Sequence, residues 1–379
     1  MIYLDHNATT PPRREVRAAL LRALRAGGNA SSVHRSGRVA RALIEQGRVE
    51  VARRMGVDAS TVVFTSGGTE SCALALWGAY YGAVAEGRPI CRVLVSAIEH
   101  DCVRATVQAM GERHHGLQID LLPVTAEGVI DLDFLPRWLA GGLGRNLVCV
   151  MAANNETGAV QPVAQIHSLT RAGGALFVCD AVQGAGRISI TADYIAVSAH
   201  KLGGPQGTGA LIVRTGAPFA AQLVGGGQEK GRRAGSENVA GIVGFGAAMA
   251  VEAADEMKRL TALRDQFERD LKAAFADAVI FSENAPRLGT TSNFALPGVA
   301  AQTAVMALDL DGIAISSGAA CSSGKVGRSH VLQAMNVPPH LADAALRASF
   351  GWTNHPTDGA AAIQSLYRLR QRAGGRVAA

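Results

Sequence analysis

No apolar run in the chain is long enough to cross a bilayer. The longest, Val239 to Val251, falls short of the ~20 residues such a helix needs and is rich in glycine, so it reads as a buried helix. Clustered basic charge is missing as well. The 37 Lys and Arg residues against 31 Asp and Glu give a formal charge of +6, but they stand singly or in pairs, with no stripe interleaved with aromatics. Stable nucleic-acid binding is therefore not expected, and the mild basic excess suits a carboxylate substrate or an acidic protein partner. The N-terminus, Met1-Ile2-Tyr3-Leu4-Asp5-His6, has no basic segment followed by an apolar one. Neither a secretory signal nor a transit peptide is expected, and a cytoplasmic location is. Paired cysteines are also lacking. The six cysteines (Cys72, Cys91, Cys102, Cys149, Cys179 and Cys321) form no CxxC pair and no zinc-like cluster, so free thiols and no metal site are expected. Five of them lie among apolar residues in expected strands and helices, where cysteine acts as a small hydrophobe. Cys321 does not.

What is present is enough to build a large core: 379 residues, 48% of them hydrophobic. From about Gly47 to Arg214, short β-branched runs alternate with helical stretches, the pattern of an α/β unit with a mostly parallel sheet. Expected strands are Val62–Thr65, Val93–Ala97, Leu147–Ala152, Ala175–Cys179, Ile195–Ala199 and Ala210–Val213, several apolar throughout, as strands covered on both faces are. An apolar helix near Val239–Ala254 and a charged one over Glu252–Ala274 follow, and a different texture then continues to the C-terminus. No repeat, proline-rich linker or low-complexity segment intervenes, so two closely packed domains are expected. The larger spans 13–255; the smaller, of α+β type, takes 1–12 and 256–379. The tail Arg372–Ala379 is expected to fray.

Open α/β sheets bind ligands beyond the carboxyl ends of their strands. The residues that follow the expected strands are Ser66-Gly67-Gly68-Thr69-Glu70, Glu99-His100, Asn154-Asn155-Glu156, Asp180-Ala181-Val182-Gln183 and, closing the series from Ser198, His200-Lys201. All would face one crevice. A Gly-Gly-Thr turn between strand and helix presents N–H groups and a hydroxyl to an anion, although this one lacks the lysine of a nucleotide P-loop. Asp180 alone would read as a structural cap. With Lys201 at the end of the next strand, the two meet what pyridoxal phosphate requires: an amine to form a Schiff base and an acid to keep the pyridine nitrogen protonated.

Seven motifs in order resemble cysteine desulfurases of the NifS/IscS class, members of the class V aminotransferase family with the fold type I of pyridoxal-phosphate enzymes. They are Tyr3-Leu-Asp-His-Asn-Ala-Thr-Thr10, Thr65-Ser-Gly-Gly-Thr-Glu-Ser71, Asn154-Asn-Glu-Thr-Gly158, Asp180-Ala-Val-Gln183, Ser198-Ala-His-Lys201, Gly225-Gly-Gly-Gln-Glu229 and Ser317-Gly-Ala-Ala-Cys-Ser-Ser-Gly324. The resemblance implies that Lys201 carries the cofactor, Asp180 pairs with its ring nitrogen, Gln183 bonds its ring oxygen and His100 stacks on the ring. Gly68, Thr69, Ser198 and His200 would hold the phosphate. A homodimer is implied, in which Ser236 of the Arg233-Ala-Gly-Ser-Glu-Asn238 loop reaches the neighbouring phosphate. Asn155 and Arg347 match groups that bind the substrate carboxylate, a task suited to a bidentate guanidinium.

The same resemblance implies the reaction: L-cysteine yields L-alanine, and its sulfur becomes a persulfide on Cys321, with His100 a candidate to take the thiol proton. The sulfur would pass to an iron–sulfur scaffold protein, to tRNA thiolation or to another acceptor. The loop Ser316-Ser-Gly-Ala-Ala-Cys-Ser-Ser-Gly324, without a bulky side chain, suits a thiol carried between two sites. Several positions depart from the family pattern. Val178 stands where a histidine is common, Ala234 and Ser236 where Ser and Thr are usual, and Phe350-Gly-Trp-Thr-Asn354 replaces a more familiar ending. The rival readings are a selenocysteine lyase or a small-amino-acid aminotransferase of the same fold, neither of which accounts as well for Cys321.

Overall fold

A computed structural model describes residues 1–141, 144–252, 254–318 and 328–375. Cys321 and residues 376–379 of the tail lie outside these. The chain begins with β1 (Ile2–Tyr3), then α1 (Arg14–Ala26) and α2 (Arg35–Met55). His34 starts α2 by accepting the Gly37 N–H on its ring, and Gly56, at φ +66°, ends it in the left-handed region that glycine tolerates.

Seven strands then form one sheet: β2 (Val62–Thr65), β3 (Ile90–Ser96), β4 (Gln118–Leu122), β5 (Arg145–Cys149), β6 (Leu176–Asp180), β7 (Tyr194–Ser198) and β8 (Gly209–Val213). Their order across the sheet is β2-β8-β7-β6-β5-β3-β4. Only β8 opposes its neighbours; the pairs from β7 through to β4 are parallel. Helices α3 (Gly68–Ala85), α4 (Asp101–Arg113), α5 (Phe134–Ala140) and α6 (Val163–Ala172) connect the strands. Every residue of β2, β6, β7 and β8 is buried. Alternate side chains enter opposite cores, Val148 with Phe177 on one face and Leu147 with Cys149 on the other.

The apolar stretch after Asn238 forms a buried helix, α7 (Val239–Met249), which Asn238 caps by accepting the Gly241 N–H at 3.0 Å. Its glycines let it cross α2 closely. A Cβ at Gly246 would lie 2.8 Å from Gly47 Cα, so neither helix can carry a side chain at the crossing. The helix stops at Met249, and α8 (Ala254–Ala274) starts afresh, where the sequence suggested overlapping helices. A four-stranded antiparallel sheet follows from β9 (Val279–Ile280), β10 (Thr291–Ala295), β12 (Ser316–Ser317) and β13 (Ala345–Ser349), in the order β12-β13-β10-β9. It packs with Phe267, Phe294 and Phe350 in a separate core. Strand β1 pairs with β11 (Ile313–Ala314), and Asp5 bridges Ser349, so the N-terminal residues join this second sheet. Among the described residues no helix is long and apolar enough to cross a membrane.

Candidate active site

The carboxyl ends of β2, β3, β5, β6 and β7 open on a pocket of about 240 Å³. Its wall contains Gly68, Thr69, His100, Asn155, Asp180, Gln183, Ser198, His200 and Lys201, together with Cys102, Met151, Ala153 and Val182. Ser236 is exposed and not part of this wall; its loop is tied to the Gly67–Gly68 turn instead, through Arg233 Nε to Glu70 Oε1 at 2.8 Å.

At one end of the pocket is the start of α3. Gly67 adopts φ +153°, which disfavours any side chain, and a Cβ on Gly68 would meet Val182 Cγ2 at 2.7 Å. Ser66 N–H donates to Glu70 Oε2, and the Thr65 and Ser71 hydroxyls meet at 2.7 Å, which fixes the turn. The first N–H groups of a helix have no partners within it and carry partial positive charge, so this end suits a phosphate. Ser198 and His200 stand beside it in the wall. Burial, followed by the charge of Lys201, lowers the His200 pKa to about 4, so its ring is a neutral partner near pH 7. Its Nδ1 lies 3.1 Å from Thr9 Oγ1.

Asp180 ends β6 and accepts the Val182 N–H on Oδ1 at 2.9 Å. Burial raises its pKa, against the opposing effects of that N–H and of His100 and Lys201. A buried acid of this kind is stabilised by a cationic N–H donor. Lys201 lies on the short turn after β7, which Gly203 closes at φ +77°. Its Nζ donates to the carbonyls of Asn7 at 2.5 Å and Ala8 at 2.8 Å. Gln183 donates its Nε2 to the same Asn7 carbonyl, while its Oε1 is buried without a hydrogen-bond partner. An anion cradle, a buried acid, an amine and an amide with one unsatisfied end fit a flat phosphorylated pyridine such as pyridoxal phosphate.

Arg347, on β13, is not in the pocket wall. It is almost fully buried behind it, donating to Asn155 O at 3.0 Å and to Asp5 Oδ1 at 2.7 Å, with Nε unpartnered. His100 caps α4, accepting the Cys102 N–H on Nδ1 at 3.1 Å; the Cys102 Sγ lies 3.0 Å from the same nitrogen.

Sequence reasoning missed three features here. Asn7 is a hub: besides its carbonyl, its Nδ2 donates to Asn155 O and to Thr291 Oγ1. Its motif was visible, but only the fold shows what it holds. Glu156 is a correction: expected to face the crevice, it is instead buried outside the pocket wall and accepts the Ser329 hydroxyl. The third miss is a correction: Cys102 is not simply a small core hydrophobe, since it is half-buried in the pocket wall close to Cys72 and Asp180. Cys149 and Cys179 do sit in apolar cores.

The aminotransferase class-V family matches residues 2–358, and the chain belongs to that family. Its fold is that of pyridoxal-phosphate enzymes. Among its relatives, a cysteine desulfurase IscS of Dictyoglomus turgidum is 37% identical over 359 residues, covering 92% of this chain and 89% of that one. An IscS-like cysteine desulfurase of Mycobacterium tuberculosis is 36% identical over 375 residues, covering 97% and 95%. A solved NifS-like protein from Rickettsia africae superposes with a TM-score of 0.87 at 34% identity, covering 98% of this chain and 99% of that one.

Proposed function

We propose that the chain is a pyridoxal-phosphate-dependent cysteine desulfurase, converting L-cysteine to L-alanine and collecting the sulfur as a persulfide on Cys321. The observation that supports this best is the convergence of Lys201 and Asp180, from neighbouring strand ends, on a pocket that also holds the N-terminus of α3. When bound, pyridoxal phosphate supplies a ring that accepts the electrons left behind as the substrate Cα loses its proton. Gly68, Thr69, Ser198 and His200 would hold its phosphate, Asp180 a proton at its ring nitrogen, Gln183 its ring oxygen, His100 its face and Lys201 its aldehyde carbon.

The remaining steps belong to the protein's own residues. Asn155 would bind the substrate carboxylate from the wall, and Arg347, held behind it on Asn155 O, would join it by exchanging its Asp5 contact for that carboxylate. Lys201 Nζ takes the proton from Cα. His100 takes the proton of the Cys321 thiol, and the thiolate attacks the substrate sulfur. An S–S bond forms as the C–S bond breaks, the electron pair stays with carbon, the proton taken from the thiol completes the methyl group there, and Lys201 Nζ returns a proton to Cα to give alanine. No external oxidant enters the balance.

We further read 13–255 as the cofactor-holding domain and 1–12 with 256–379 as the smaller one. The enzyme would work in the cytoplasm as a homodimer, with Ser236 completing the neighbour's phosphate site, and would pass sulfur to a scaffold protein or another acceptor. Two variants test the core of the reading. Cys321→Ala is expected to keep the visible absorbance of the bound cofactor and to lose sulfide release from cysteine; undiminished release would refute the role of Cys321. Lys201→Ala is expected to leave no borohydride-reducible lysine adduct, and an adduct at another lysine would refute that assignment.

A further inference from the structure

Three side chains from separate elements bring sulfur and oxygen ligands together at the pocket. Cys72 comes from the second turn of α3, Cys102 from the first turn of α4 and Asp180 from the end of β6, and one ligand atom of each lies within 4.8 Å of the others. Cys72 is fully buried behind the wall; Cys102 and Asp180 form part of the wall itself. The cluster is thus closed on the protein side and open to the pocket. A tetrahedral zinc ion, with Zn–S ~2.3 Å and Zn–O ~2.0 Å, sets its ligands ~3.5–3.8 Å apart, so the side chains need to adjust by about an ångström at most.

We propose that the cofactor-free protein binds one thiophilic divalent cation of the zinc type through Cys72 Sγ, Cys102 Sγ and the Asp180 carboxylate. The fourth position faces the pocket and is open to water. Two thiolates with one carboxylate select a borderline-soft cation over magnesium or calcium. The electrostatics agree with the geometry. The contact between the two sulfurs holds the Cys102 thiol below its ordinary pKa, while Cys72 is pushed up by that same contact and by burial. A cation between them reverses the second effect and deprotonates Cys72 as it binds. Because Asp180 serves both the ion and, in the reading above, the cofactor ring nitrogen, the two ligands exclude each other; this last step rests on that reading.

The test titrates zinc into protein stripped of cofactor, in competition with a chromophoric chelator. One ion per chain is expected, with affinity at least ~100-fold lower in the Cys72→Ser/Cys102→Ser variant. Cobalt in place of zinc should give thiolate-to-metal charge-transfer absorption that the double variant loses. Far-ultraviolet circular dichroism establishes that the variant is folded, and Cys102→Ser alone, at the half-exposed member, gives a milder second measure of the same loss. Equal affinity in wild type and double variant overturns the site, and so does loss of the ion in Cys321→Ser, which would place it at that thiol. Zinc-loaded wild type should take up pyridoxal phosphate only after chelator is added. Uptake with the ion retained overturns the shared use of Asp180. The zinc titration itself involves no cofactor, so a failed cofactor assignment, read from Lys201→Ala, leaves its outcome distinct.

Discussion

Replacing Glu156 with Gln should remove a pH dependence of stability that the native fold imposes. Glu156 is 3% exposed, and burial raises its carboxyl from 4.5 to about 7, against the opposing effects of the Ser329 hydroxyl and the Arg347 charge. The native site therefore keeps its proton over a range in which the unfolded chain has lost it. The resulting stabilisation is present in full below the unfolded value and is lost as pH rises through the folded one. A separation of about 2.5 pH units corresponds to ~3.4 kcal/mol in total, of which ~2.5 kcal/mol disappears between about pH 5 and about pH 8. Glutamine does not titrate, yet its amide oxygen can still accept the Ser329 hydroxyl, which in turn caps the helix from His330 by accepting the Leu332 N–H at 3.0 Å. Urea unfolding followed by circular dichroism, at both pH values and with saturating cofactor, compares the two proteins; effects of pH on the cofactor are common to both and cancel. The variant should gain ~2.5 kcal/mol on wild type in going from the lower to the higher pH. Parallel stability curves would show that Glu156 titrates like an exposed carboxyl, and the burial argument would fall.

Two further substitutions probe the scaffold of the pocket. Arg48 and Glu229, 3% and 2% exposed, form a buried pair at 2.7 Å that also receives the Phe64 N–H of β2, so Arg48→Ala should cost ~3–5 kcal/mol in denaturant unfolding, since it strands a buried carboxylate. Gly68→Ala places a methyl 2.7 Å from Val182 Cγ2 and should cost ~1–3 kcal/mol along with cofactor affinity; adding Val182→Ala should restore both, as measured by thermal unfolding and cofactor titration.

The strands around the pocket were legible because apolar β-branched runs, ending in polar residues, are what a sheet covered on both faces requires. Their ends were less legible. The run Leu147–Ala152 outlasts β5, which stops at Cys149, yet Val150 and Ala152 still donate to the carbonyls of Val178 and Asp180; the extended chain continues where the regular ladder does not. Strand β4 went unseen for a different reason. It is the sheet edge, with Gln118, Ile119 and Leu121 exposed, so burial imposed no apolar run on it. Residues 250–253, between α7 and α8, carry no glycine or proline to mark a stop, and packing against α2 governs α7 more than its local propensity does.

The pocket's own chemistry divides along the same line. Lys201, Asp180 and Gly68 follow directly from strand order, because each sits at the mouth of the strand that precedes it. What holds them does not. Asn7 is nearly two hundred residues from Lys201 in sequence, and its backbone carbonyl, which any residue type would present, takes the Lys201 and Gln183 bonds. Sequence can mark such a segment as a motif but cannot show which way its carbonyls face. Cys72 and Cys102 hide for the complementary reason: Cys72 lies in an apolar helix and Cys102 opens an amphipathic one, and read alone each is explained by packing. Only the approach of α3 and α4 to the end of β6 places both beside Asp180, and that turns two packing residues into a ligand set. Spacing in sequence reveals metal sites built within one loop or hairpin. Sites assembled from three separate elements of an α/β sheet have no spacing to reveal.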